Sequence, residues 1–142
     1  MKKPFLLVLL IVLFSGNLIA SKSIVVTQKT IKIESQKEDV FYFGFAAGDQ
    51  LTLNFETMDG KELTELEIME LNGAVLFKDY KSKKIKNSAF KILKTGILKF
   101  RLLNSASGGR VCKIKIQRAP ASKATQQFNT TVYWKQVFDT SY

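Results

Sequence analysis

Few residues in this sequence are able to do chemistry. Histidine is absent and cysteine occurs once, at Cys112. A Ser-His-Asp triad, a Cys-His dyad and a zinc site built on His or Cys pairs are therefore excluded. Carboxylates remain as acid-base groups. Glu38, Asp39 and Asp49 flank an aromatic segment, and loops of one fold can bring such acids together. Asp39 and Asp49 are the candidate pair for a small carboxylate hydrolase, which needs its two carboxyl groups within about 10 Å. Carboxylates could also bind Ca2+ through oxygen, but Asp59-Gly60 is a turn signal rather than an EF-hand loop. Solvated loop acids are the ordinary expectation for all of these positions.

A second kind of chemistry is anion binding. Lys78, Lys81, Lys83, Lys84 and Lys86 fall within nine residues, and read as a lysine-rich loop that would suit an anionic polysaccharide or envelope surface. Tyr80 is the lone aromatic among them, too little for the stacking platform that single-stranded nucleic acid uses, so no nucleic-acid role is expected. Tyr133 and Trp134 could stack on a sugar, but adjacent strand residues face opposite ways, so one belongs to the core. Asn129-Thr130-Thr131 is a glycosylation sequon. No P-loop, GxGxxG or nucleophile elbow occurs, and no cofactor is expected.

Charge is uneven along the chain. Residues 21–70 carry a net −5 and residues 71–142 a net +13, within a total of +10 over 142 residues. Such asymmetry can mark an electrostatic partner. The bland reading is that Lys99, Arg101, Lys113 and Lys115 take the outward parity of strands, and that acidic and basic strands neutralise one another across a sheet.

The elements that must position these groups show period-two alternation. Strands are expected at 24–26 and 30–33 (one strand or a pair of short ones), 40–45, 51–56, 66–71, 74–77, 90–92, 98–102 and 110–118, with 78–88 as a polar loop. Turn signals separate them: Gly48-Asp49, Asp59-Gly60, Asn72-Gly73, Thr95-Gly96 and Ser105 to Gly109. Asn72-Gly73 between two strands marks a hairpin, because both residues tolerate positive φ. Cys112 shares parity with Ile114 and Ile116, as a small buried hydrophobe would. About eight short strands without helical spacing indicate an all-β, antiparallel, jelly-roll-like β-sandwich. Hydrophobic content of 46% and 11% aromatic residues suffice for one core over 21–118.

The two ends differ from this body. Lys2, Lys3 and the apolar run from Phe5 to Phe14, closed by Ala20, read as a signal peptide over 1–20. The run is too short for a transmembrane helix, which takes roughly 20 residues. Residues 119–142 break the pattern at Ala119-Pro120 and resume it at 131–138, as one further strand or as the lead-in to a region beyond.

The stretch from Phe41 to Leu53, FYFGFAAGDQLTL, resembles the F-x-F-x-A-x-x-G-D-x-L-x-L of secreted jelly-roll modules. These are the bacterial pre-peptidase C-terminal type and the GOLD type. Leu66 to Phe77 and Thr95 to Asn104 fit the same plan. The chain departs from eukaryotic GOLD proteins in having one cysteine and neither a coiled coil nor a membrane helix. The resemblance implies a non-catalytic accessory module, and the shared positions are core and turn positions that carry no site residues.

An exported periplasmic or extracellular module that binds or scaffolds a protein or glycan of the cell envelope is thus expected. Anionic-polysaccharide binding through Lys78 to Lys86 and carboxylate hydrolysis are the alternatives.

Overall fold

In a computed structural model that describes residues 22–128, the alternating segments become eight strands. They are β1 (Ile24–Ile33), β2 (Lys37–Phe45), β3 (Gln50–Thr57), β4 (Leu63–Glu70), β5 (Val75–Ser82), β6 (Lys84–Lys91), β7 (Gly96–Asn104) and β8 (Arg110–Ala119), with one short helix, α1 (Lys123–Gln126), after them. Two four-stranded sheets form: sheet A, ordered β1-β8-β3-β6, and sheet B, ordered β2-β7-β4-β5. Every pairing is antiparallel. Pairing β1 with β8, β2 with β7, β3 with β6 and β4 with β5 is the result of winding one long hairpin about its axis, the jelly-roll arrangement.

Inward positions fill the space between the sheets. Phe55, Leu51, Leu53, Ile114, Ile116 and Cys112 from sheet A meet Phe41, Phe45, Leu66, Ile68, Leu98, Phe100 and Leu102 from sheet B. Phe41 stacks on Phe100 with centroids 5.8 Å apart. The Asn72-Gly73 turn closes the β4–β5 hairpin: Gly73 has φ +93°, the Ala74 N–H donates to Asn72 Oδ1 at 3.0 Å, and the Glu70 N–H donates to the Ala74 carbonyl.

Two of the resembling positions have clear physical work. Asn104, fully buried at the end of β7, donates through Nδ2 to the carbonyls of Ile33, Glu34 and Gly108, and accepts from the Ala106 N–H. It staples the β1–β2 corner to the β7–β8 turn. Gly48 has φ +87°, and a Cβ there would lie 2.7 Å from Ala121 Cβ. The turn therefore needs glycine both for its backbone and for the close passage of the segment after β8.

The expected loop at 78–88 is corrected by the structure. Those residues are the end of β5, a turn at Ser82-Lys83 and most of β6. The misreading has a cause: β5 and β6 are edge strands of their sheets, and edge positions filled with lysine discourage pairing with other chains, which masks apolar alternation. The signal peptide, the sequon, Tyr133, Trp134 and the strand expected at 131–138 lie outside the described residues. Among the described residues no helix is long and apolar enough to cross a membrane.

Candidate functional site

The five lysines expected to act together are dispersed by the fold. Lys78 lies on the outer face of sheet B, opposite Glu67 in the β4–β5 register. Its ammonium is 3.0 Å from Glu67 and 3.2 Å from Glu65. Arg101 of β7 closes the network, with Nε 2.6 Å from Glu38 and Nη1 3.1 Å from Glu65. Acidic β4 and basic β7 and β5 thus neutralise one another across the sheet, as cross-strand partners do. Burial works against the charge on Glu67. Hydrogen bonding from Lys78 and the fields of Lys78 and Arg101 outweigh it, holding that carboxyl below the usual range. The same contacts push the Lys78 ammonium up.

Lys84 and Lys86 lie on the other side of the molecule. Beside them on the outer face of sheet A stand Lys113 and Lys115 of β8. Register builds two adjoining rows across the strands. In one, Thr30 is opposite Lys113, Lys113 opposite Glu56, and Glu56 opposite Lys84. In the other, Gln28 is opposite Lys115 and Lys115 opposite Asn54. Together these residues line a shallow cleft of about 650 Å3 across all four strands. Alternate residues of β8 place Lys113 and Lys115 about 7 Å apart along the strand.

This face is basic and short of counter-charge. Among the described residues Glu56 is the one acid lining it, and its 3.9 Å contact with Lys84 is long and exposed. Lys86, Lys113 and Lys115 form no ion pair among the described residues. Lys29 also borders the cleft, but its ammonium sits 4.1 Å from the centre of the Phe41 ring. Among the described residues Phe55 is the only aromatic lining the cleft, and it is buried. What the face offers is ammonium donors with the amides of Gln28 and Asn54 and the hydroxyl of Thr30, a donor set for anionic groups and for sugar hydroxyls.

Sequence reasoning placed Lys113 and Lys115 correctly as outward residues. The signal it lacked was strand order, which sets β6 and β8 on the two sides of β3. Lys81 and Lys83 stand apart again, at the end of the sandwich near the β3–β4 turn.

The carboxylate candidates are not brought together. Asp39 is six residues before the end of β2, so roughly 20 Å of strand separates it from the turn that holds Asp49. Asp49 is also not the solvated acid expected of a loop. It is fully buried, its Oδ2 accepts from the Ala46 N–H at 2.9 Å and lies 3.2 Å from Arg118 Nε. Among the described residues, no cluster of His, Cys, Asp and Glu could hold a metal ion. Cys112 is fully buried, as its parity predicts, and burial pushes its thiol up to about 11.

No family model matches the chain, and no curated protein matches it. Among solved structures, it is similar to a family two carbohydrate esterase from Cellvibrio japonicus at 10% identity, over 72% of this chain and 36% of that one, with a TM-score of 0.40. It is also similar to infectious bursal disease virus Gx strain at 10% identity, over 76% of this chain and 32% of that one, with a TM-score of 0.35. The chain spans about a third of the length of each, and likeness this distant concerns the β-sandwich alone.

Proposed function

We propose that this chain is an exported, non-catalytic β-sandwich module that binds an anionic polysaccharide of the cell envelope through the outer face of sheet A. The observation that carries the reading is the gathering of Lys84, Lys86, Lys113 and Lys115 around one open cleft with Glu56 as its single acid. Export is supported by Lys2, Lys3 and the apolar run that follows them. The accessory, pre-peptidase C-terminal or GOLD-like character is supported by the Phe41 to Leu53 pattern on a jelly-roll strand order. A binding rather than hydrolytic role is supported by the separation of Asp39 from Asp49 and by the ion pairs that keep Glu67 charged, since a general acid must carry a proton.

The test is titration of the purified protein with dextran sulfate and with neutral dextran, which share a backbone. Dextran sulfate is expected to bind and neutral dextran not. With four lysines engaged, the logarithm of affinity should fall with the logarithm of salt with a slope of about −3, by analogy with single-stranded polyanions. Lys113→Gln with Lys115→Gln should roughly halve that slope. Equal binding of both polymers, or a slope unchanged in the double variant, removes the reading. Binding of oligothymidylate as tight as that of dextran sulfate overturns the polysaccharide assignment.

A further inference from the structure

A second group of cations lies where β3 turns into β4 and β5 into β6. Lys61, Lys81, Lys83 and Arg110 line a cleft of about 460 Å3 there, with Glu62 as its one acid among the described residues. Arg110 is fixed in place: its Nε donates to the Glu62 carbonyl at 2.7 Å, and Nη1 to the carbonyls of Gly108 and Gly109. Its Nη2 has no partner among the described residues. None of the four cations forms an ion pair there.

Lys81 adds an independent observation. Its φ is 54°, in the left-handed region that disfavours residues with a Cβ and is more easily taken by glycine or asparagine. A lysine held at such a position costs stability, and backbone strain of this kind gathers at binding sites. Gln36 and Asn87 share this conformation; at Lys81 the side chain is exposed and forms no ion pair among the described residues.

The two basic clefts share no lining residue, but each takes one of two consecutive lysines. Lys83, in this one, precedes Lys84 on the face of sheet A. Along β8 the distance from Arg110 to Lys115 is about 17 Å. Resting on the reading given for sheet A, we infer that the Lys61–Lys81–Lys83–Arg110 cleft is a second subsite for the same anionic polysaccharide. The ligand is then a chain of several repeating units that runs from the face of sheet A around the end of the sandwich, and Lys81 is held in its unfavourable backbone conformation to meet it.

The experiment compares sucrose octasulfate, too short to span both clefts, with long dextran sulfate. The proteins are the wild type, Lys81→Asn with Lys83→Gln, and Lys113→Gln with Lys115→Gln. The wild type is expected to favour the long polymer. The Lys81/Lys83 variant should lose about tenfold in affinity for it while binding the short ligand within about twofold of wild type. Lys81→Asn alone should melt at the wild-type temperature or above. A long-polymer advantage retained in the Lys81/Lys83 variant overturns the inference, as does a lowered melting temperature for Lys81→Asn. If the Lys113/Lys115 variant binds both ligands normally while the Lys81/Lys83 variant binds neither, the face of sheet A is not the site and the end cleft acts alone, which refutes the two-subsite inference and the earlier reading separately.

Discussion

The buried pair Asp49–Arg118 allows the fold to be tested at one point. Asp49 is 0% and Arg118 2% exposed, joined at 3.2 Å although 69 positions apart in the chain. Arg118 also donates from its terminal nitrogens to the carbonyls of Thr125, Gln126 and Phe128, so it fastens the segment after β8 over the Gly48 turn. Asp49→Asn keeps the shape and the acceptor for the Ala46 N–H, but leaves a buried guanidinium without its counter-ion. Removing one partner of a buried pair costs about 3–5 kcal/mol. Because three carbonyls still receive Arg118, the lower end, about 3 kcal/mol, is expected. Asp49→Ala also orphans the Ala46 N–H and should cost about 1 kcal/mol more. Domains of this size have a total stability of about 5–15 kcal/mol, so the loss is large. Urea unfolding followed by far-ultraviolet circular dichroism would read it: with a slope near 1.5 kcal/mol per molar, Asp49→Asn should move the midpoint down by roughly 2 M. Asp49→Asn combined with Arg118→Met should be less destabilised than the sum of the single variants by about 2 kcal/mol. A cost under about 1 kcal/mol for Asp49→Asn, or simple additivity in the double variant, would refute the claim that this pair holds the end of the sandwich.

Two further outcomes follow from the shifted groups. Because Glu67 is held below the ordinary carboxylate range, its contribution is fully present above that range and is lost as pH falls through the lowered folded value. The gap in urea midpoint between wild type and Glu67→Gln should therefore be clear at about pH 7 and shrink as pH falls below the ordinary carboxylate range; a gap that widens on acidification would contradict the sign of the shift. Cys112, with its thiol near 11, should resist Ellman's reagent at about pH 8 in the native protein and react at once in denaturing urea. Rapid labelling of the native state would show that the strand parity of β8 is wrong.

The alternation of apolar and polar residues is local, and so it was readable. Leu51, Leu53 and Phe55 had to share one face of β3 whatever that strand paired with, and Cys112 had to follow Ile114 and Ile116 inward. Turn chemistry is local too: Asn72-Gly73 closes a hairpin because those two residues tolerate its backbone. Where lysines replace apolar residues on the edge strands β5 and β6, the local pattern thins, and 78–88 read as a loop.

Which charges meet was decided by strand order, and no window of sequence encodes that. Long-range pairing of β7 with both β2 and β4, beside the local β4–β5 hairpin, set Lys78 and Arg101 among Glu38, Glu65 and Glu67, which cancels them. Pairing of β3 with both β6 and β8 left Lys84, Lys86, Lys113 and Lys115 together with Glu56 alone to offset them among the described residues. The same winding brought Arg118 back over Asp49 and turned an ordinary turn carboxylate into a buried anchor. The sequence by itself determined that the chain is built of about eight strands and which face of the central ones is apolar, because a period of two is a property of neighbours. The basic face and the buried pair arise only when strands distant in sequence lie side by side, because opposite charges neutralise across space rather than along the chain.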